Sequence, residues 1–223
     1  MRARVFLLSP AHCGAERARL VLRPEARFDL ACRLRSPEGA PLGEVFSFLS
    51  GLYFRGKLAY ARAFARPPEG VAGVAVITPC QGLRSPDVRV DVPLMQRYGQ
   101  VDIAAADARY RRPLVRDARR LRMALVDRGD WEAVLLGSVA SDKYVEPLLT
   151  IFGDRLLFPV DFVGRGDMSR GGLLLRCVNE GRELDYAPLA NAARRGRRPA
   201  RLVPQPGILL RAMGEAAPDG ATT

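Results

Sequence analysis

The chain has 223 residues, a formal net charge of +11 and a sequence pI of about 10.3. Hydrophobic residues make up 48% and charged residues 26%, which is a globular composition and argues against disorder as the main state. The longest apolar runs have the length of a strand, far short of the roughly 20 residues that span a bilayer. The first apolar stretch is also too short for a signal peptide, so we expect a cytoplasmic protein.

The cysteines and the histidine do not form the pattern of a metal site. Cys13, Cys32, Cys80 and Cys177 include no CxxC pair, and His12 is the only histidine. Because zinc ligands need a local spacing that is missing here, we expect neither a metal nor another cofactor. Cysteines so widely spaced in a chain of this length are typical of reduced thiols rather than of a disulfide framework.

Almost all of the positive charge is arginine, since Lys57 and Lys143 are the only lysines. Two interpretations stay open. Such a bias, with abundant Ala, Gly and Pro, is typical of a GC-rich genome without selection for binding. A charge of +11 on 24.5 kDa nevertheless attracts polyanions, and arginine adds forked recognition of phosphate. DNA or RNA is therefore a candidate partner.

Predicted strands and helices alternate along the chain. Strands are continuous apolar runs cut by proline, glycine or serine, and helices repeat apolar residues every three or four positions. In chain order the predicted elements are a strand at 5–8, helices at 15–22 and 44–65, a strand at 71–78, a helix at 110–125, a strand at 133–136, a helix at 142–152, a strand at 156–159 and a helix at 168–178. Gly51 and Gly56 favour a break in the second helix, and residues 84–92 are predicted to be a loop with an extended piece.

This order indicates the fold class. Strands that are apolar throughout, rather than alternating, are typical of a mostly parallel sheet covered on both faces. We therefore predict a three-layer α/β domain over residues 1–185. Residues 186–223 are predicted to form a basic, partly flexible tail, because the apolar pattern fades and arginines cluster at 194–201.

The carboxyl ends of the strands are the expected ligand site. Loops from successive parallel strands meet there, and helix N-termini direct free amides at a ligand. The residue types at these ends suit an anion, such as a small anionic ligand, or a nucleobase. The candidate residues are Ser9, His12, Gln81, Ser138, Ser141, Lys143, Tyr144, Arg165, Asp167 and Arg170.

Structural roles stay open for several of these residues. Ser138 or Ser141 can cap the helix that follows, and Asp167 can cap the helix after the last predicted strand. The stretch 164–172 is rich in glycine and arginine and can wrap an anion, but it lacks the GxxxxGK[ST] order of a P-loop. The GxGxxG fingerprint is missing after the first strand, which argues against a nicotinamide enzyme.

A Cys/His catalytic pair is a weaker alternative. His12 and Cys13 are neighbours in an extended segment, where adjacent side chains diverge. Cys80 would have to lie beside His12 to complete such a pair. Carboxylate pairs carry no burial signal for acid–base work either.

The helix at 110–125 is the most basic element, with seven arginines between positions 109 and 122. Near the strand ends this surface would form a wall that follows a phosphate backbone, and elsewhere it is an ordinary solvated face. Arg116, Arg119 and Arg120 are the candidate backbone contacts.

Three aromatic residues are candidates for stacking on bases. Tyr53, Phe54 and Tyr60 lie at helical spacing, which equally favours a place in the core.

Four short segments resemble the YaaA-like group of bacterial domains. They are Leu7-Leu8-Ser9-Pro10, the run 48–56, the run 77–83 with Pro86-Asp87, and Leu136-Gly137-Ser138 with Lys143-Tyr144. The group includes the peroxide-stress YaaA proteins and is similar to the uracil-DNA-glycosylase-like domain joined to archaeal tRNA-guanine modification enzymes. The resemblance implies an α/β domain with a positively charged cleft and a tie to nucleic acid or modified bases.

The chain also departs from that group. The second-strand segment usually reads like Ser-Ala-Lys-Tyr-Gly-Leu, whereas Thr78-Pro79-Cys80-Gln81 stands here in place of the basic and aromatic residues. The glycosylase water-activating and histidine motifs are missing, so the resemblance does not imply base excision.

Our first hypothesis is a nucleic-acid-associated protein that holds a phosphate backbone with its arginines and presents the strand-end residues to a base or nucleotide. The alternative is a small-molecule hydrolase or transferase that acts on a nucleotide-like anion in the same pocket. A partner-binding subunit without chemistry is a third reading. Arginines on the same side as the strand ends favour the first hypothesis, and arginines on another side favour the second. The oligomeric state stays open.

Overall fold

The computed structural model describes residues 2–140 and 142–190, together with residues 192, 196, 197, 199 and 200. Its strands are β1 (Ala3–Leu8), β2 (Ala40–Pro41), β3 (Val74–Thr78), β4 (Gly82–Arg84), β5 (Arg89–Val90), β6 (Trp131–Leu136), β7 (Leu156–Pro159) and β8 (Tyr186–Pro188). Its helices are α1 (Glu16–Leu22), α2 (Asp29–Arg35), α3 (Leu42–Ser50), α4 (Leu52–Phe64), α5 (Val92–Gly99), α6 (Ala108–Val126), α7 (Asp142–Phe152) and α8 (Asp167–Glu180).

Six strands form one sheet in the order β4-β3-β1-β6-β7-β8. The four central strands are parallel, and the edge strands β4 and β8 run antiparallel to their neighbours. The mostly parallel sheet that the sequence predicts is thereby confirmed. From β1 the chain moves to β3 on one side and then to β6 on the other, so the strand order reverses between β1 and β6. Ligands of open α/β sheets bind at such a switch point, beyond the carboxyl ends of the strands.

Side chains of the sheet alternate between two cores. In β1, Phe6 and Leu8 pack into one core, while Val5 and Leu7 pack into the other. The first core also contains residues of α1 to α5 and α8, and the second contains residues of α6 and α7. The three-layer α/β architecture is therefore confirmed. Within the described residues no helix is long and apolar enough to cross a bilayer.

The structure contains elements that the sequence pattern did not indicate. Short elements of this kind, α2, α5 and β2, lie on the side of the first core, and β2 pairs antiparallel with β5, which falls in the stretch predicted to hold an extended piece. Helix α5 begins after Asp91, whose carboxylate accepts a hydrogen bond of 2.8 Å from the amide of Leu94. Strand β8 pairs with β7, so the sheet continues beyond Asp185 into residues that we assigned to the tail. The larger part of that tail, from 201 onward, lies outside the described residues.

The predicted helix at 44–65 consists of two helices that meet at Gly51. This glycine has a φ of +61°, a conformation that other residues rarely adopt, so the break falls at the first of the two predicted positions. Gly56 lies inside α4 instead, where α4 crosses α8. A Cβ at Gly56 would lie 2.7 Å from the carbonyl oxygen of Gly171, so both helices need glycine at this crossing.

We expect Gly56→Ala to destabilise the protein by about 1 to 2 kcal/mol, although alanine favours a helix by about 1 kcal/mol over glycine. The reason is the clash with the backbone of α8, which no side-chain rotation relieves. Urea unfolding measures the change. The matched control is Ala63→Gly on the exposed side of the same helix, which should cost about 1 kcal/mol through propensity alone. A more stable Gly56→Ala variant would contradict the close crossing.

Candidate functional site

The site lies where β1 and β6 end side by side. Leu8 pairs with Leu136, and the amide of Ser9 donates to the carbonyl of Leu136 at 3.0 Å. Gly137 follows β6 directly. A Cβ at this position would lie 2.8 Å from Cβ of Ser9 and 3.1 Å from Cε2 of Tyr144. Glycine at 137 therefore allows Ser9 and Tyr144 to approach each other at the switch point.

A buried lysine contacts Ser9 from helix α4. The Lys57 residue is 1% exposed, and its Nζ donates to the carbonyl oxygen of Ser9 at 2.6 Å and lies 2.8 Å from Ser9 Oγ. Burial lowers the pKa of Lys57 to about 7; Asp167 opposes this shift and Arg170 adds to it. An amine with this pKa is partly neutral near pH 7, and in that form it can accept the proton of the Ser9 hydroxyl.

Aromatic rings enclose the amine. Its Nζ lies 4.6 Å from the ring centroid of Tyr53 and 4.8 Å from that of Phe54. Tyr144 is also buried next to Ser9, which raises the pKa of its hydroxyl. Hydrogen bonding with the side chain of Ser9 and the backbone of Ser138 opposes that rise. The Ser9 side chain thus contacts both an amine and a protonated phenol.

Arg170 supplies a second buried cation. Its side chain is 8% exposed, and Nε and Nη2 donate to the carbonyl of Phe162 at 3.2 and 3.0 Å. Its Nη1 lies 3.3 Å from a carboxylate oxygen of Asp167, the first residue of α8. These contacts fix the guanidinium close enough to Lys57 to lower the pKa of that amine. The site is therefore suited to a ligand that carries negative charge.

The structure brings together about half of the residues that the sequence nominates. Ser9, Ser138, Asp167 and Arg170 all influence the pKa of Tyr144, which places these five residues in one cluster. The N-cap of α8 is Gly166, so Asp167 does not act as the cap. Arg165 borders the cluster, where its Nε donates to the carbonyl of Asp161 at 2.9 Å and orders the loop before α8.

The other strand-end candidates are not among these five residues. His12 and Lys143 are exposed. Gln81 has a structural partner, since its side-chain oxygen accepts a hydrogen bond of 2.8 Å from the hydroxyl of Tyr98. Ser141 lies outside the described residues.

Neither thiol near His12 is activated. Burial raises the pKa of Cys13 to about 12, with a smaller contribution from Cys80. Burial also raises the pKa of Cys80, although Arg97 and Arg109 oppose it. Because the thiolate is the nucleophile, these directions argue against a Cys/His pair.

The arginines of α6 lie on another surface. Tyr110, Leu114, Ala118 and Leu125 of this helix are buried in the second core, so the opposite side of the helix faces away from the sheet. That side carries an open groove of about 510 Å³. The groove is lined by Arg111, Arg112, Val115, Arg116, Arg119 and Arg120. Arg116, Arg119 and Arg120 therefore do not join the strand-end cluster.

At the opposite end of the sheet, the charged side chains form ion pairs with one another. Glu132 pairs with Arg2 and Arg4, and Glu183 pairs with Arg4 and Arg66. Carboxylates and guanidinium groups balance one another in this network. Among the polar groups near the strand ends, those at the carboxyl edge are the better candidates for a ligand.

Sequence reasoning missed Lys57. The signal that was present is its residue type: lysine occurs twice among 35 basic residues, and this one lies among apolar residues of a helix. Tyr53, Phe54 and Tyr60 are 5%, 0% and 0% exposed and belong to the first core, so none of them forms a surface platform for bases.

Fold and site together define an α/β protein with a buried serine, lysine and arginine cluster at the switch point of an open, mostly parallel sheet. No family model matches the chain, and neither a curated protein nor a solved structure matches it. The resemblance to the YaaA-like group therefore stays a prediction.

Proposed function

We propose that this protein binds a nucleotide-like anion at the carboxyl ends of β1 and β6 and acts on it as a hydrolase or transferase. The observation that carries the proposal is the buried pair of Ser9 and Lys57. A hydroxyl is a weak nucleophile until a base takes its proton, and an amine with a pKa near 7 is matched to that task at neutral pH.

The charge of the site supports an anionic ligand. Arg170 and the protonated form of Lys57 are both cations in a cluster where water has little access. An anion there would gain more from each cation than it would on the surface, because the surroundings screen the charges less. Asp167 compensates Arg170 in part, and its side chain is 68% exposed, so solvent screens its charge.

The chemistry follows from the geometry of the pair. Oγ of Ser9 attacks the phosphorus or acyl carbon of the ligand, and its proton passes to Nζ of Lys57. The bond to the leaving group breaks, and the leaving group takes that proton. Water or an acceptor alcohol then attacks the covalent intermediate and gives its proton to Lys57, which returns it to Ser9 as the bond to Oγ breaks.

Two measurements test this proposal. Thermal unfolding with inorganic phosphate and with the 5′-monophosphates of adenosine, guanosine, cytidine and uridine tests binding, which should raise the unfolding temperature. Release of p-nitrophenol from p-nitrophenyl phosphate, bis(p-nitrophenyl) phosphate and p-nitrophenyl acetate tests phosphomonoester, phosphodiester and acyl chemistry. Turnover should be lost in Ser9→Ala and kept in Ser85→Ala, a control at an exposed loop serine. No shift and no turnover with any of these compounds would contradict the proposal.

A second candidate function is binding of a nucleic acid backbone by the outer surface of α6. The observation that favours it is the row of arginines along the open groove, of which Arg112, Arg119 and Arg120 have no ion pair within the described part of the chain. Because this surface points away from the sheet, it is separate from the strand-end site. Fluorescence anisotropy with labelled duplex DNA, single-stranded DNA and tRNA tests it, and a failure to bind any of them at about 50 mM salt would contradict it.

A further inference from the structure

The hydroxyl of Tyr53 is buried beside the Ser9–Lys57 pair without a partner. The residue is 5% exposed, and within the described residues no group lies in hydrogen-bonding geometry to this oxygen. A buried hydroxyl that gives up its hydrogen bonds to water costs free energy unless another group replaces them. Such a group in a folded protein therefore needs an explanation.

The surroundings of this hydroxyl are those of the candidate site. Lys57 Nζ lies 4.6 Å from the Tyr53 ring centroid, and that ring meets the ring of Phe162 edge to face at 6.3 Å. Phe162 in turn carries the carbonyl that holds Arg170. Burial raises the pKa of Tyr53, Tyr144 and Asp167 add to the rise, and Arg170 opposes it through its charge and as a nearby hydrogen-bond donor. A guanidinium has no acceptor, so the hydrogen of the Tyr53 hydroxyl is left without a partner in the described part of the structure. The phenol stays protonated at neutral pH, so its hydroxyl is a donor.

We infer that Tyr53 is a ligand-binding residue of this site, whose hydroxyl donates a hydrogen bond to an anionic oxygen of the ligand. The inference rests on the proposed function and adds a neutral donor to the guanidinium of Arg170 and the amine of Lys57. A donor held in a buried site without its own partner is preorganised, because it gives up no protein hydrogen bond when the ligand arrives. It also favours ligands with an anionic oxygen, such as a phosphate or carboxylate group.

The variant Tyr53→Phe tests this inference through two readouts that move in opposite directions. Without ligand, the variant should unfold at a higher urea concentration than the wild type, because it no longer buries an unpaired hydroxyl. Its Kd should be about tenfold weaker for whichever of inorganic phosphate and the four nucleoside 5′-monophosphates the wild type binds. A tyrosine that only supports the fold would lose stability in this variant.

Tyr110→Phe is the matched control. Tyr110 also buries a hydroxyl without a partner among the described residues, but it belongs to α6 and the second core and approaches the cluster at Tyr144 rather than at Lys57 or Arg170. This variant should gain stability in the same way and leave the Kd unchanged. If the wild type binds these anions and the Tyr53→Phe variant binds them equally well, the role of Tyr53 is overturned but the proposed function is not. A Tyr53→Phe variant that is less stable than the wild type would also overturn that role. A wild type that binds none of the probes would overturn the proposed function and this inference together.

Discussion

From pH 7 to pH 9 the wild-type protein should gain about 2 kcal/mol of unfolding free energy that a Lys57→Met variant does not gain. The pKa of Lys57 is about 7 in the folded protein, and a lysine in an unfolded chain has a pKa of about 10.4. Below pH 7 both states hold the proton, and the whole cost of burying the charge is present. Above pH 7 the unfolded state holds a proton that the folded state has released. Stability therefore rises with pH, by up to about 1.4 kcal/mol per unit, until the pH reaches the pKa of the unfolded chain.

Urea unfolding at pH 7, 8 and 9 measures this change, and the difference between the two proteins isolates Lys57. Thiols contribute in the opposite direction, because burial raises the pKa of Cys13 to about 12 and the folded state then keeps a proton that the unfolded state loses. That contribution is common to both proteins and cancels. Methionine keeps the length and apolar character of the lysine stem.

Lys143→Met is the matched control, since it removes the other lysine of the chain from an exposed position on α7. It should follow the wild-type pH dependence. If Lys57→Met and the wild type also change in parallel, Lys57 keeps an ordinary pKa when buried, and its role as a base for Ser9 at neutral pH fails with it.

The central sheet is predictable from the sequence because each parallel strand is covered on both faces and therefore forms a continuous run of apolar residues. The runs that end before Ser9 and Gly137 define both strands and the edge at which a ligand is expected. Helix α6 is equally local, since its stripe of apolar residues alone predicts it. By contrast, β8 is a short strand whose stability depends on pairing with β7, which no local pattern records.

The candidate site is predictable only in part for the same reason. Ser9, Ser138 and Tyr144 follow strand ends, so the position of the strands reveals them. Lys57 and Tyr53 belong to a helix that reaches Ser9 across 48 positions of the sequence, and this approach depends on how α4 packs on β1 and α8. By spacing alone, a lysine whose amine is buried cannot be distinguished from a long side chain whose stem packs in the core and whose charged end reaches solvent.

The position of the α6 arginines assigns nucleic acid binding and small-anion binding to different surfaces, which the composition alone does not distinguish. A net charge of +11 attracts polyanions wherever the arginines lie, but a backbone contact requires them in a row that a phosphate chain can follow. The α6 groove supplies such a row on the side of the second core. The strand-end cluster is built around buried side chains instead. The residues of either surface can therefore be substituted without changing any residue of the other.

Replacing Arg116, Arg119 and Arg120 together by glutamate should weaken binding to duplex DNA about a hundredfold at 0.1 M salt and flatten the slope of log Kd against log salt concentration by nearly 3. Each arginine that contacts a phosphate contributes close to one unit of that slope, because it releases one condensed counterion, and glutamate adds repulsion to the lost contact. Anisotropy across a salt series measures both quantities.

The control is the triple change Arg19→Glu, Arg23→Glu and Arg27→Glu, which alters the net charge equally at exposed positions in and after α1, on the side of the first core. If net charge alone attracts DNA, both triple variants lose the same affinity, and the α6 groove has no specific role. If only the α6 variant loses affinity and slope, the groove carries the phosphate contacts. Turnover at the Ser9 site should persist in both variants, since neither triple change alters a residue of the strand-end cluster. If turnover is lost with the α6 arginines, the two surfaces serve a single function.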